Sequence, residues 1–149
     1  MLSKETYISV VRNTPLVSID LIISRDDGSI LLGHRLNEPA RGFWFVPGGR
    51  IYKDETLADA FSRISHDELG LELSLNDAKL KGCYEHFYTE NFAQEPKIST
   101  HYVVLAYQVK LHDKLTRLPD RQHDDYQWFP REHIENNPDV HENTRAYFL

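Results

Sequence analysis

The chain has 149 residues, 40% of them hydrophobic, enough for one domain with a sizeable core. It carries 17 basic against 23 acidic residues, net −6, and lacks the basic stripe of a general nucleic-acid binder. An anionic substrate would have to be met locally, by gathered arginines or a metal cation.

No apolar run approaches ~18 residues, so neither a transmembrane helix nor a membrane partner is expected. The N-terminal MLSKETYISVVR has no apolar centre of the kind a signal peptide carries. The lone cysteine, Cys83, permits no internal disulfide and reads as a strand or core thiol in a reducing compartment. The expectation is a soluble, cytoplasmic protein. No repeat, low-complexity tract or linker divides the chain, so 1–149 is read as a single domain.

In chain order, residues 3–12 read as a short helix with Ser3 as N-cap. LVSIDLII, 16–23, is rich in β-formers, and Asp20 interrupts it, which favours a site role or a local hydrogen bond. Asp26-Asp27-Gly28 marks a turn before SILLGHR, 29–35, so the two strands form a hairpin. RGFWFVPGGR, 41–50, reads as an aromatic strand running into a Pro-Gly-Gly turn. A helix is expected from Glu55 to Leu69, with Asp54 as N-cap and Gly70 as its stop. KGCYEHFY and THYVVLAYQVKL read as strands, and RLPDRQHDDYQWFP as a loop leading into a short strand. REHIENN and NTRAYF suggest closing helices. Helices and strands mixed without strict alternation predict an α+β fold, a sandwich around a mixed sheet.

On a helical wheel of 55–69, Leu57, Ala60, Phe61 and Ile64 share one face, and Glu68 falls in the middle of it one turn on. Asp59 and Asp67 each lie four residues from Arg63 and can pair with it on the flank. A carboxylate on an inward face needs a partner. That partner is either an arginine or helix amides, or a hard divalent cation, which prefers oxygen ligands. Pro47-Gly48-Gly49-Arg50 favours the cation, because two glycines let the backbone pass close to a ligand.

These residues resemble a Nudix box: Gly49, five residues, Glu55, seven residues, Arg63, then Glu68-Leu69-Gly70-Leu71. The usual box is G-x5-E-x7-R-E-U-x-E-E-x-G-U, with U bulky and apolar. Here Ile64 replaces one carboxylate, Ser65 a bulky apolar residue, and Asp67 shortens another acid. With that departure the chain resembles the GDP-mannose mannosyl hydrolase branch of the Nudix superfamily. The likeness extends through VVRNTPLVSIDLII, LLGHR, GFWFVPGGR, KDETL, ELGL, THYVVL, LPDRQHDDYQW and NTRAYFL.

The resemblance implies a Nudix α/β/α sandwich and a Mg²⁺-dependent hydrolase, with one Mg²⁺ per subunit of a homodimer. Its substrate would be a GDP-sugar, GDP-mannose or GDP-glucose, cleaved by water at the anomeric carbon with inversion. It implies Gly48, Glu68 and Gln122 as metal ligands and His123 as general base, with Asp124 or Asp125 tuning it. Arg35, Arg50 and Tyr102 would stabilise departing GDP, and Asp20 would orient the sugar or an arginine. Leu2 and Tyr7 would contact guanine, from the second subunit in one arrangement. Taken alone, several of these have plainer roles: Tyr102 as strand packing, Arg35 as a hairpin end, Glu55 and Arg63 as purely structural box residues. His86 in YEHFY either packs among its aromatic neighbours or lines the sugar pocket. Two other functions remain open: a Nudix pyrophosphohydrolase giving a nucleoside monophosphate and sugar 1-phosphate, and a non-catalytic nucleotide-sugar binder.

Overall fold

A computed structural model describes residues 2–112 and 123–149, with backbone alone at 123–125. Helix α1, Lys4–Asn13, starts at Ser3, whose side chain accepts the Thr6 N–H at 3.2 Å. Its buried Val11 packs with Leu16 and Ile98.

Strand β1, Leu16–Ser24, is the axis of the fold. On one edge it runs parallel to β6, Thr100–Lys110, from Leu16 opposite Tyr102 to Ser24 opposite Lys110. Two antiparallel strands share its other edge. Strand β4, Gly48–Arg50, pairs with Ser18 to Asp20, and β2, Ile30–Arg35, joins at Ser24. Asp20 therefore sits at the fork between them. Strand β5, Lys79–Tyr88, lies antiparallel on β6, while β3, Trp44–Phe45, and β7, His123–Phe129, flank β2. The sheet is mixed, as the sequence predicts.

Side-chain alternation sends alternate β1 residues to opposite faces. Ile19, Leu21 and Ile23 meet Phe61, Ile64 and Leu69 of α2, Leu57–Leu69. Phe61 is fully buried edge-on to Tyr107 at 5.5 Å, a burial that contributes about 1.5–3 kcal/mol. On the opposite face Ile22, Leu32 and Ala106 meet Ile134, Val140, Tyr147 and Phe148 from the C-terminal segment. Among the described residues no helix is long and apolar enough to cross a membrane.

Several boundaries differ from the sequence expectation. The N-cap of α2 is Thr56, which accepts the Asp59 N–H at 3.1 Å, while Asp54 takes a left-handed turn conformation at φ 69°. Gly70 ends the helix at φ 72°, as expected of a left-handed cap. The aromatic segment 41–50 is two short strands, β3 and β4, separated by Val46-Pro47. REHIENN forms only a 3-10 turn, Arg131–His133, and the last helix, α3 at Glu142–Arg145, passes directly into a second turn, Ala146–Phe148. Cys83 is an exposed strand residue, not a core one.

Candidate active site

The fork in β1 opens into a cavity of about 480 Å³. Its floor is β1 and the Gly48-Gly49 turn, and the end of α2 contributes Ile64 and Glu68. Asp20, Arg35, Gly48, Arg50, Glu68, Tyr7 and Tyr102, all singled out from the sequence, line this one space. Leu2 is exposed and outside that lining. Gln122 lies outside the described residues, as does the His123 side chain. The His123 backbone is described and faces Arg35 across the β2–β7 ladder.

Glu68 is 2% exposed. Its Oε1 accepts the Gly48 N–H at 3.4 Å and its Oε2 the Tyr126 hydroxyl at 3.2 Å. Burial pushes its pKa up to about 7, with these two hydrogen bonds opposing the shift. Gly48 has no room for a side chain: a Cβ there would collide with Asp20 Oδ1 and lie 2.6 Å from the Ile19 carbonyl oxygen. The glycine thus lets the turn pass close to two acids, Asp20 and Glu68. Burial also raises Asp20, to about 6, although Tyr147 and Arg35 act against it. A cradle of oxygen donors around a glycine, with a buried carboxylate whose charge is penalised, fits a hard divalent cation. The described donor set is sparse, since no group of three or more His, Cys, Asp or Glu gathers among the described residues.

Cationic side chains face this cradle. Arg50 lies between two rings, 4.6 Å from the Tyr7 centroid and 4.7 Å from that of Tyr52. Tyr7 in turn stacks on Phe92 at 4.6 Å. Arg35 spends its Nε–H on the carbonyls of Asn37 and Pro39, at 3.1 and 2.8 Å. Among the described residues no carboxylate forms an ion pair with Arg35 or Arg50. Both guanidinium groups line the cavity, and their planar forks suit an anion such as a diphosphate. Burial raises the Tyr102 hydroxyl well above the ordinary phenol range, so it stays a neutral donor.

The NUDIX domain family model matches residues 14–149. The chain belongs to the Nudix family. A curated relative, the low-salt glycan biosynthesis protein Agl8 of Haloferax volcanii, is 46% identical over 119 residues, 80% of this chain and 73% of that protein. An RNA pyrophosphohydrolase of Pseudomonas putida is 35% identical over 66 residues, 44% of this chain and 38% of that protein. Among solved structures, the MutT Nudix hydrolase of Burkholderia pseudomallei has a TM-score of 0.70 at 26% identity, covering 91% of this chain and 97% of that one. The MutT protein of Methanosarcina mazei reaches 0.71 at 19% identity, covering 91% and 92%, and supports the fold alone.

In this Nudix domain Glu55 and Arg63 brace the turn before α2, and Arg63 and Asp67 also line the cavity. Arg63 grips Glu55 with two bonds, Nε to Oε2 at 2.7 Å and Nη2 to Oε1 at 2.9 Å. Nη2 also donates to the Arg50 carbonyl at 2.9 Å, and Glu55 Oε1 accepts the Tyr52 N–H at 2.7 Å. The pair thus locks the segment that carries Arg50. Asp67 stands 3.9 Å from Arg63, the flanking contact expected from the helical spacing. His86 is 7% exposed and lines the cavity; burial lowers its pKa to about 4, so it is neutral.

Two site residues were not legible in the sequence. Tyr126, the donor to Glu68, looked like one aromatic among several in a strand. Tyr147, which donates to Asp20 Oδ2 at 2.6 Å, lies 127 residues away from it in the chain.

Proposed function

We propose that this Nudix hydrolase is a Mg²⁺-dependent GDP-sugar hydrolase that cleaves GDP-mannose, and GDP-glucose as a second substrate, to GDP and free sugar. Water attacks the anomeric carbon with inversion. The observation that carries this reading is Ile64. Where the family box has a glutamate, this chain buries an isoleucine at 1% exposure, packed in the core cluster beside Phe61. The helix therefore gives the cavity one buried carboxylate, Glu68. That is a thin ligand set for activating water beside phosphorus, and an adequate one for neutralising a diphosphate that departs from carbon.

When bound, one Mg²⁺ per subunit would neutralise charge on the leaving diphosphate, held by Glu68, the Gly48 carbonyl and Gln122. Arg35 and Arg50 bind diphosphate oxygens, and Tyr102 donates to the same group as the C–O bond breaks. His123 accepts the proton of the attacking water on the far side of the sugar; an imidazole is available for this near neutrality. Asp20 orients the sugar or Arg35. The flanks of the Tyr7 ring are taken by Phe92 and Arg50, so Tyr7 meets the guanine through its edge. Leu2, off its own cavity, reaches the base of the second subunit in a homodimer. The lone exposed Cys83 suits a reducing, cytoplasmic setting.

The glycan-biosynthesis name of the Haloferax relative favours a sugar-linked substrate. The pyrophosphohydrolase name of the Pseudomonas relative favours the second reading, cleavage to GMP and mannose 1-phosphate. Incubation with GDP-mannose and Mg²⁺, followed by separation of the nucleotides, distinguishes the two. GDP with free mannose supports attack at carbon, and GMP with mannose 1-phosphate supports attack at phosphorus. Binding without turnover would mean a nucleotide-sugar binder.

A further inference from the structure

Asp20 is held from two sides. One oxygen, Oδ1, lies against the α-carbon of Gly48, where any side chain would strike it. The other, Oδ2, accepts the Tyr147 hydroxyl at 2.6 Å, a short bond of the kind made to an ionised carboxylate. Tyr147 is 1% exposed, its ring edge-on to Tyr84 at 4.8 Å and packed in the cluster of Ile22, Leu32 and Val140. The phenol cannot turn away without opening the core. Its hydroxyl has one proton, committed to Asp20, so toward His86 Nε2 at 3.3 Å its oxygen can only accept. While Asp20 is ionised, the Nε2–H tautomer of His86 is the one that satisfies this contact.

We propose that Tyr147, delivered by the C-terminal turn, is a positioning residue that fixes the Asp20 carboxylate in the active-site cavity. It does not touch the reacting atoms. It clamps one oxygen of Asp20, which leaves the other at the Gly48 turn and, while Asp20 is ionised, the His86 ring in its Nε2–H tautomer. Burial and the neighbouring carboxylate drive the Tyr147 phenol far above its ordinary range, so it remains a donor at any working pH. The kinetic part of the proposal rests on the GDP-mannose reading; the hydrogen bond itself does not.

The test compares the full chain with Tyr147→Phe, Asp20→Ala and the double variant. Tyr147→Phe deletes one oxygen and keeps the ring. It is expected to lower kcat for GDP release from GDP-mannose about tenfold or more, with KM within about twofold and an unchanged fold by circular dichroism. In the Asp20→Ala background the same change should alter kcat by less than about twofold, because its target is gone. An equal loss in both backgrounds, or no loss in either, overturns the proposal. A second readout does not need turnover. The shielded Tyr147 hydroxyl proton should give a low-field, slowly exchanging NMR resonance, assigned by its loss in Tyr147→Phe and moved in Asp20→Ala. A resonance absent from the parent, or unmoved in Asp20→Ala, overturns it. If the GDP-mannose reading fails instead, the parent releases no GDP while the resonance still reports on the pair.

Discussion

Ile64 packs directly beneath Gly49: a Cβ on that glycine would stand 3.2 Å from Ile64 Cγ1. The side chain that replaces a box glutamate thus supports the turn over the cavity and closes the core below it. Ile64→Glu would bury a carboxylate among Ile19, Phe61 and Leu69, which costs about 2 kcal/mol or more. Without Mg²⁺ its melting temperature should fall by about 4–8 °C, read by calorimetry or circular dichroism. A parental melting temperature would mean that a carboxylate at position 64, which borders both core and cavity, turns into the cavity and not into the core.

The Glu55–Arg63 pair should show in acid. Hydrogen bonding to Arg63, above all, holds the Glu55 pKa below its ordinary 4.5. Its folded pKa is depressed, so its contribution is present above about pH 4.5 and is lost as pH falls through the folded value. Glu55→Gln should therefore destabilise the protein near about pH 7, with the difference shrinking toward about pH 3. Equal destabilisation at both ends would assign the effect to packing.

Asp20 and Glu68 act in the opposite sense and in a different window. Their folded pKa values rise from 3.8 to about 6 and from 4.5 to about 7. The folded state thus binds more protons, and metal-free stability should fall as pH climbs from about 4 to about 7. Glu68→Gln should flatten that slope. It should also weaken the stabilisation by Mg²⁺, which in the parent should be larger at about pH 8 than at about pH 5. An unchanged Mg²⁺ titration in Glu68→Gln would remove this residue from the metal site.

His123→Gln separates chemistry from binding. Turnover should fall by about 10²–10⁴-fold while GDP-mannose and Mg²⁺ still bind, measured by titration calorimetry. Activity near the parental rate would remove His123 as the base.

Much of the fold follows from local rules that the sequence displays. Ser3 and Gly70 cap the helices where their chemistry says they should, and Ala60, Phe61 and Ile64 are buried with Glu68 at the end of their face, whereas Leu57, read onto the same face, is exposed in the first turn. Asp54, the cap expected from the sequence, gives way to Thr56, two residues on, because the turn pinned by Glu55 and Arg63 holds Asp54 at φ 69°. REHIENN has fewer than two turns between Pro130 and Pro138, too little to nucleate a helix. The split of 41–50 into two strands follows from Pro47, which has no N–H to give to a ladder.

At the site, the glycine turn stood out by composition and Glu68 by helical spacing, while Arg35 and Arg50 were singled out through the family resemblance; all of them line the cavity. Tyr126 and Tyr147 were not legible, because each acts through a contact between elements far apart in the chain, Tyr126 to Glu68 on α2 and Tyr147 to Asp20 on β1. Asp20 shows the limit well. An acid in an apolar strand announces a need for a partner, and nothing local says that the partner is Tyr147, the third residue from the C-terminus.

Hydrolysis of GDP-mannose with Mg²⁺ in ¹⁸O-water tests the central claim most directly. Attack at carbon predicts unlabelled GDP and mannose carrying the label. Label on the phosphate of GMP or of mannose 1-phosphate would mean attack at phosphorus, and would contradict both the role given to His123 and the single-cation site.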